Sequence, residues 1–312
     1  MLCAPLHSTA QDNTATFPTR PIRIVAPTSP GGANDVLARM LGVRMTQHWG
    51  QQVVVDVRPG AGGIVGSEIV ARAAPDGYTL AVVANGYALN PFLIAKLPYD
   101  TLKDFERVTL FASAPLVLVA HPTVPVQSVQ DVINMAKAKP NSLNFGSAGL
   151  GSGGWLSMEL LRNTAKLEMT HVPYKGAGQS NAAIVAGEVH LMVSALPVTL
   201  AFIKAGRLKG LGVTSPKRAA VAPQIPTIAE TLPGYEVLNV FGMIAPGRTP
   251  PAIVNKIAQE VKRITTMPEV KAHMDSVGFD AENRGPAEFT AFVKAEMAKW
   301  GKVFAERGIK PE

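Results

Sequence analysis

The chain has 312 residues, of which 47% are hydrophobic and 17% are charged, so it can bury the cores of two globular domains and is too apolar to be disordered. Its formal net charge is +7, but Lys and Arg are scattered and do not alternate with aromatic residues, which argues against a nucleic-acid-binding surface and favours a small anionic partner. Apolar runs such as 114–120 are far shorter than the roughly 20 residues that cross a bilayer, and the single cysteine, Cys3, excludes an intrachain disulfide and a cysteine-based zinc site.

Residues 1–17 are expected to lie outside the folded core. They lack the basic start and the apolar stretch of about 7 to 15 residues that mark a signal peptide. We interpret them as a disordered region or as the remnant of a trimmed export signal.

Residues 22–35, IRIVAPTSPGGAND, predict a strand that runs through a glycine loop into a helix. Gly31 and Gly32 let bare backbone approach a ligand closely, and Asn34 or Asp35 can cap the helix. The N-terminus of a helix presents unpaired N–H groups and a partial positive charge, which favour a carboxylate or a phosphate. On these residues alone, a tight strand-to-helix turn is an equally good interpretation.

The same pattern continues as an alternation of strands and helices. Strands are predicted at 53–57, 79–84 and 116–121, with a glycine-rich turn at 59–63 and a helix at 67–74. This alternation predicts a largely parallel sheet with helices on both faces.

A second α/β series follows the proline-rich link at 122–125. It starts with a helix at 129–139, for which Ser128 and Asp131 have capping-box spacing, and a strand at 143–145. Further helices are predicted at 155–164, 179–186 and 198–205, and further strands at 169–172, 191–193 and 208–213.

The C-terminal part is predicted to contain a strand at 237–245 and helices at 252–266, 269–277 and 286–307. With no strands between them, these helices are expected to pack on the first domain. The chain would then cross between domains near His121 and Asn239. This gives a discontinuous first domain, 18–121 plus 240–312, and a second domain, 122–239. A ligand cleft between them is expected beyond the carboxyl ends of the strands, and the two crossings permit hinge closure.

Residues 146–154, GSAGLGSGG, form a second glycine loop between a predicted strand and a predicted helix. Gly149, Gly151 and Gly154 satisfy the spacing of a dinucleotide-binding loop. In that fold the acidic residue ends the second strand, whereas Glu168 precedes the strand predicted at 169–172. The same loop can form a nest of N–H donors for a carboxylate, which is the interpretation we favour.

The sequence contains no familiar catalytic or metal-binding motif. No serine stands in a G-x-S-x-G elbow, no P-loop occurs, and the six histidines lack ligand spacing. Pairs of carboxylates that are distant in sequence are left open. We therefore expect no catalytic residue, no metal and no cofactor, and recognition without reaction.

Polar residues at other strand ends have two interpretations. Asn85 and Tyr87 follow the strand at 79–84, Tyr174 and Lys175 follow the strand at 169–172, and Ser194 follows the strand at 191–193. Each can donate a hydrogen bond to a ligand, or can belong to an ordinary turn.

A resemblance to a known family rests on five segments: PIRIVAPTSPGGANDVLAR, VVVDVRPGAGGIVGSEIVARAAPDGYTL, NFGSAGLGSGG, HVPYKGAGQ and AVAPQIPTIAETLPGYEV. Together they resemble the Bug family, the extracytoplasmic solute receptors of tripartite tricarboxylate transporters. The resemblance implies an α/β, type II periplasmic-binding-protein fold, with two α/β domains joined by two crossing strands and a ligand cleft between them. It also implies that backbone N–H groups of two glycine loops hold a small organic carboxylate.

The resemblance further assigns ligand-binding positions by matching motif. The first wall comprises Thr28, Ser29, Gly31, Gly32 and Ala33, and the second comprises Ser147, Ala148, Gly149, Gly151, Ser152 and Gly153. Asn85 and Tyr87 match a third ligand loop, Tyr174 lies on the HVPYKG turn, and Ser194 lies at the distal end of the pocket. Asp35 resembles a helix cap.

Two positions depart from the family pattern. Ser194 stands where the family commonly has an acidic residue, so we expect a ligand without an ammonium group. Val240 stands where the family commonly has a tryptophan. If that position lines the cleft, the smaller side chain leaves room for an aromatic acid or a longer dicarboxylate.

The sequence thus predicts a monomeric periplasmic receptor, not an enzyme. It would capture a mono- or dicarboxylate and deliver it to the membrane subunits of a tripartite tricarboxylate transporter. Two alternatives stay open, namely a ligand sensor that feeds a signalling kinase and an enzyme on the same scaffold.

Overall fold

The computed structural model describes residues 16–306 and 308–311. Residues 1–15, and with them most of the predicted lead-in, lie outside the described residues. Phe17 was expected to belong to that lead-in, but it is 4% exposed and its ring packs against Trp49 and Tyr78. The folded part therefore includes Phe17.

Within the described residues the chain forms ten strands and ten α-helices. In chain order they are β1 (Ile22–Ala26), α1 (Ala33–Trp49), β2 (Val53–Val57), α2 (Ile64–Ala71), β3 (Thr79–Val83), α3 (Gly86–Leu93), β4 (Phe105–Ala120), α4 (Val129–Ala138), β5 (Asn144–Ser147), α5 (Gly153–Ala165), β6 (Thr170–Pro173), α6 (Ala177–Ala186), β7 (Leu191–Ala195), α7 (Leu196–Lys204), β8 (Lys209–Val213), β9 (Leu238–Pro246), α8 (Pro251–Thr265), α9 (Pro268–Val277), β10 (Asp280–Arg284) and α10 (Pro286–Glu306). Short 3₁₀ turns occupy Ala61–Gly63 and Ile228–Glu230.

Two groups of strands share β4. In the first, β2–β1–β3–β9 lead to the beginning of β4, which also pairs with β10. In the second, the end of β4 pairs with β8 and with β7, which continues to β5 and β6. Pairing is parallel among β1, β2 and β3 and among β5, β6 and β7, and is antiparallel wherever β4 or β9 takes part. The prediction of a largely parallel sheet was therefore only partly right.

The strands β4 and β9 join the two halves. They pair with each other from Phe105 to Pro115 of β4, and from Leu116 onward β4 pairs with strands of the second half. The strand β4 is long because it contributes to both groups, whereas β9 pairs, among the described strands, with β3 and β4 only. The sequence pattern revealed only the later part of β4, since it predicted a strand at 116–121.

Two further elements differ from the expectation. The strand β10 lies between α9 and α10, where only helices were predicted, because its sequence DAENR carries no apolar alternation. Helix α3 begins at Gly86 and contains Pro91, and because both residues are typical of turns, no helix was predicted there. The predicted helix cap at Ser128 is present, because its Oγ accepts the N–H of Asp131 at 3.1 Å. Helices α8 and α10 pack against β4 and against α1 and α3 of the first half, whereas α9 also contacts α7 of the second half.

Candidate functional site

A cleft lies between the two halves, where the strands of both end. The space between its walls, including the part open to solvent, is about 880 Å³. Seven of the predicted site residues line it, namely Thr28, Ala33, Tyr87, Ala148, Ser152, Gly153 and Ser194. The other eight do not line it, namely Ser29, Gly31, Gly32, Asn85, Ser147, Gly149, Gly151 and Tyr174.

The N-termini of six helices point into this cleft. Lining residues belong to the first turn or the N-cap of each: Ala33 and Asn34 (α1), Gly63 (α2), Gly86 and Tyr87 (α3), Gly153 and Gly154 (α5), Gly176 and Ala177 (α6), and Ala195 (α7). The first N–H groups of a helix have no acceptor within it, and the helix dipole adds partial positive charge there. Three helices from each half therefore direct partial positive charge towards the cleft. The N–H groups of Gly63 and Tyr87 are already bonded, to Gly60 O and Ala84 O, so the donors to an anion are other first-turn groups.

The first wall leaves backbone N–H groups free for a ligand. The N–H of Gly32 donates to Ser29 O at 3.1 Å, and that of Gly31 donates to Asp35 Oδ2 at 2.9 Å. Gly32 is the N-cap of α1 and supplies no side-chain cap, so the N–H groups of Ala33 and Asn34 face the cleft without a partner from their helix. The N-cap predicted at Asn34 or Asp35 was therefore wrong: Asp35 lies in the first turn of α1, and its carboxylate accepts the N–H of Gly31 from the loop before the helix.

Glycine is required in this wall for close approach. A Cβ at Gly32 would lie 3.0 Å from Thr28 Oγ1 and 3.2 Å from Ser29 O. Gly31 has φ of 77°, in the left-handed region that favours glycine.

The second wall is organised by serines. Ser152 caps α5 by accepting the N–H of Trp155 at 3.3 Å, and its hydroxyl donates to Gly149 O at 2.7 Å. Ser147 is fully buried, and its Oγ accepts the N–H of Gly149 and lies 2.6 Å from His171 Nε2. The side chain of Ser147 therefore shapes the loop from behind and does not reach the cleft.

His171 supports this loop in its neutral form. Its ring stacks on that of Phe145. Burial, followed by the positive charge of Arg162, lowers the pKa of His171 to about 4. The hydrogen bond to Ser147 is therefore made by an uncharged imidazole at neutral pH.

Three predicted side chains are engaged elsewhere. Asn85 donates to the carbonyl of Leu238 at 3.0 Å and accepts the N–H of Val240 at 3.0 Å, so it clamps the crossing strand β9. The hydroxyl of Tyr87 donates to Thr101 O at 2.9 Å, and that of Tyr174 donates to Glu188 at 3.2 Å.

Ser194 lines the cleft but already uses its proton. Its hydroxyl donates to Asn181 Oδ1 at 2.9 Å. Val240, by contrast, does not line the cleft; it lines a small separate cavity against Phe289 and Phe292 of α10. The larger pocket was expected only if Val240 lined the cleft, and that expectation was wrong. Side chains alternate along β9, so Val240 points away from the face that lines the cleft.

The described residues that line the cleft carry few charged side chains. Among the described lining residues there is no Asp, Glu or Arg, and Lys175, which is exposed, is the only residue with a full charge. The described part of the chain holds no group of three side chains suited to a metal ion and no helix long and apolar enough to span a membrane. Attraction for an anion therefore comes mainly from backbone groups.

The two walls touch across the cleft through glycines. A Cβ at Gly62 would lie 2.8 Å from Leu150 O, and one at Gly176 would lie 2.6 Å from Ser29 Oγ. A Cβ at Gly178 would overlap Pro30 O. These contacts between opposite halves describe a closed arrangement.

Sequence reasoning missed several lining residues. They include Gly62, Gly63, Ser67, Asn90 and Asn239. The glycine-rich turn at 59–63 was itself a signal, since it also leads into a helix. Asn90 and Asn239 carried no signal, because only the fold brings them to the cleft.

Several known proteins are similar to this chain in sequence and fold. A curated relative described as "UPF0065 protein in tcbD-tcbE intergenic region" from Pseudomonas sp. (strain P51) is 37% identical over 307 residues, covering 98% of this chain and 91% of the relative. A solved structure described as "R. palustris Rpa4515 with adipate" has a TM-score of 0.92 and 34% identity, with 95% of this chain and 100% of that chain covered. A second, "MatC (Rpa3494) from Rhodopseudomonas palustris with bound malate", has a TM-score of 0.87 and 32% identity, with 92% and 99% covered.

These likenesses confirm the predicted type II periplasmic-binding-protein fold. A family model described as "Tripartite tricarboxylate transporter family receptor" matches residues 37–309. The chain therefore belongs to the tripartite tricarboxylate transporter receptor family, as the resemblance to the Bug family predicted.

Proposed function

We propose that this receptor captures a small organic carboxylate without an amino group in the cleft and closes on it. The observation that carries the proposal is the convergence of six helix N-termini, three from each half, on a cleft whose described lining has no acidic side chain. A carboxylate satisfies unpaired N–H groups from both halves, and so stabilises the closed arrangement. An ammonium group would find no counter-charge there.

The binding energy required is within reach of such contacts. Each charge-assisted N–H to carboxylate bond contributes about 1.5 to 3 kcal/mol. Three or four of them reach micromolar affinity after the costs of association and closure are deducted. The relatives with bound adipate and malate support a mono- or dicarboxylate as the ligand class.

We also propose the cellular setting. The protein acts as a monomer in the periplasm and delivers its ligand to the membrane subunits of a tripartite tricarboxylate transporter, in line with its family. We assign residues 18–121 plus 240–312 to one domain and 122–239 to the other, with β4 and β9 as the hinge.

The role is binding without catalysis. Ser147 and His171 form a close serine–histidine pair, but Ser147 is fully buried and cannot reach a ligand in the cleft. This arrangement supports a structural role for the pair.

Calorimetry against mono-, di- and tricarboxylates and aromatic acids tests the proposal. We expect at least one mono- or dicarboxylate to bind with micromolar affinity or better, and its amino-substituted analogue to bind more weakly. Absence of binding across all classes, or a preference for the amino-substituted acid, would contradict it.

A further inference from the structure

Asn239 of β9 lines the cleft and is 9% exposed. Its buried Oδ1 accepts no hydrogen bond from any residue that the structure describes. Buried polar atoms in native proteins are nearly always paired, because an unpaired one carries a free-energy penalty. Since Asn239 lines the cleft, its missing partner is expected from a ligand.

The backbone around Asn239 is held firmly. Asn85 bonds to the carbonyl of Leu238 and to the N–H of Val240, the residues on either side. Because side chains alternate along a strand, Val240 faces the small cavity behind β9 while Asn239 faces the cleft. The amide therefore sits on the crossing strand, at the floor of the cleft.

The second wall restricts the amide further. A Cβ at Gly153 would lie 2.9 Å from Asn239 Oδ1, so the oxygen lies against the N-terminus of α5. This brings an unpaired acceptor next to backbone N–H groups that suit an anionic ligand.

Among the described residues, several other polar side chains that line the cleft are already bonded elsewhere. Asn34 donates to Val82 O, and the hydroxyls of Ser180 and Ser194 donate to Ala177 O and Asn181 Oδ1. A fully ionised dicarboxylate has only acceptor oxygens, so it leaves Oδ1 unpaired. A hydroxyl can donate to Oδ1 and also accept from a backbone N–H.

We propose that Asn239 makes the receptor selective for hydroxylated carboxylates, by accepting a hydrogen bond from a hydroxyl on the carbon chain of the ligand. The inference rests on the proposed function, because the helix N-termini must hold the carboxylate first. Charge selects the class of ligand, and the neutral amide then distinguishes among its members.

Matched pairs of acids that differ by one hydroxyl test this inference by calorimetry. The pairs are succinate and malate, glutarate and 2-hydroxyglutarate, and adipate with 2-hydroxyadipate and 3-hydroxyadipate. For the chain length that binds best, we expect the hydroxylated acid to bind at least about tenfold more tightly to the wild-type protein, which corresponds to about 1.4 kcal/mol. In Asn239→Leu this ratio should fall below about threefold.

A control variant separates this effect from general disturbance of the cleft. Ser180→Ala removes a lining hydroxyl that is already bonded within its own helix, so the ratio should keep its wild-type value. Asn239→Ala serves as a second variant if Asn239→Leu lowers the melting temperature strongly. Equal affinity within the best pair, tighter binding of the plain acid, or a ratio unchanged in both Asn239 variants overturns the inference while the receptor function stands. Failure of every acid to bind overturns both.

Discussion

Replacing Gly178 by alanine should block closure of the cleft without harming either half. Gly178 lies near the start of α6, and its φ is not in the left-handed region, so alanine suits its backbone and favours the helix. The added Cβ would overlap Pro30 O and lie 3.2 Å from Ser29 Cβ, and both of these residues belong to the opposite wall. The clash therefore exists only when the two walls meet.

The size of the effect follows from this overlap. Pro30 O is a backbone atom, so it cannot rotate away, and one wall must shift. Forcing one extra methyl group into a closely packed contact costs about 1 to 3 kcal/mol. Because ligand affinity depends on closure, the dissociation constant should rise by about 5- to 150-fold.

Calorimetry with a carboxylate that binds the wild-type protein measures this change, and small-angle scattering measures ligand-induced compaction. Gly42→Ala is a matched control, since it adds the same methyl group inside a helix, where the nearest atoms of Val55 and Val53 are 3.4 and 3.5 Å away. We expect weaker binding and reduced compaction for Gly178→Ala only. Wild-type affinity with full compaction in Gly178→Ala would refute the closed arrangement described above.

Three other changes test separate parts of the account. Gly32→Val should abolish detectable binding in calorimetry, because its side chain would crowd Thr28 and cover the free N–H groups of α1; unchanged affinity would show that backbone approach at this loop is not the mechanism. Lys175→Met should slow ligand association a few-fold at low ionic strength in stopped-flow measurements and have little effect at high salt, because Lys175 is exposed and acts at a distance. A decrease in the association rate that does not depend on salt would instead indicate direct contact between Lys175 and the ligand. Folding lowers the pKa of His171 from its ordinary value of 6.5 to about 4, so the stabilisation by its neutral ring is complete above pH 6.5 and is lost as the pH falls through 4. Between pH 6.5 and pH 4 the melting temperature of the wild-type protein should therefore fall more steeply than that of His171→Asn. Parallel melting profiles would contradict the burial of a neutral imidazole.

Local patterns were sufficient to predict most elements of the fold. The strand β2 was predicted with its observed bounds, and α4 to within a residue, because apolar periodicity and a capping serine marked them. The strand β10 was not predicted because its sequence DAENR has no apolar alternation and its partner, β4, is distant in sequence. The early part of β4 was not predicted, because its partners, β9 and β10, are distant in sequence.

The site could be predicted only in outline. Glycine loops before helices marked the N-termini of α1 and α5, which depend on local sequence. The clamp of Asn85 on β9 joins residues more than 150 positions apart, and it redirects a side chain that local reasoning assigned to the ligand. The position of Asn239 in the cleft depends on the same long-range pairing, so no local motif could predict it.

A crystal structure of the protein with a bound carboxylate would show which groups hold the ligand. We expect the carboxylate oxygens to lie about 2.7 to 3.1 Å from backbone N–H groups at helix N-termini of both halves, including α1 and α5. A carboxylate held instead by an Arg or Lys side chain or by a metal ion, or bound outside the cleft, would contradict this expectation.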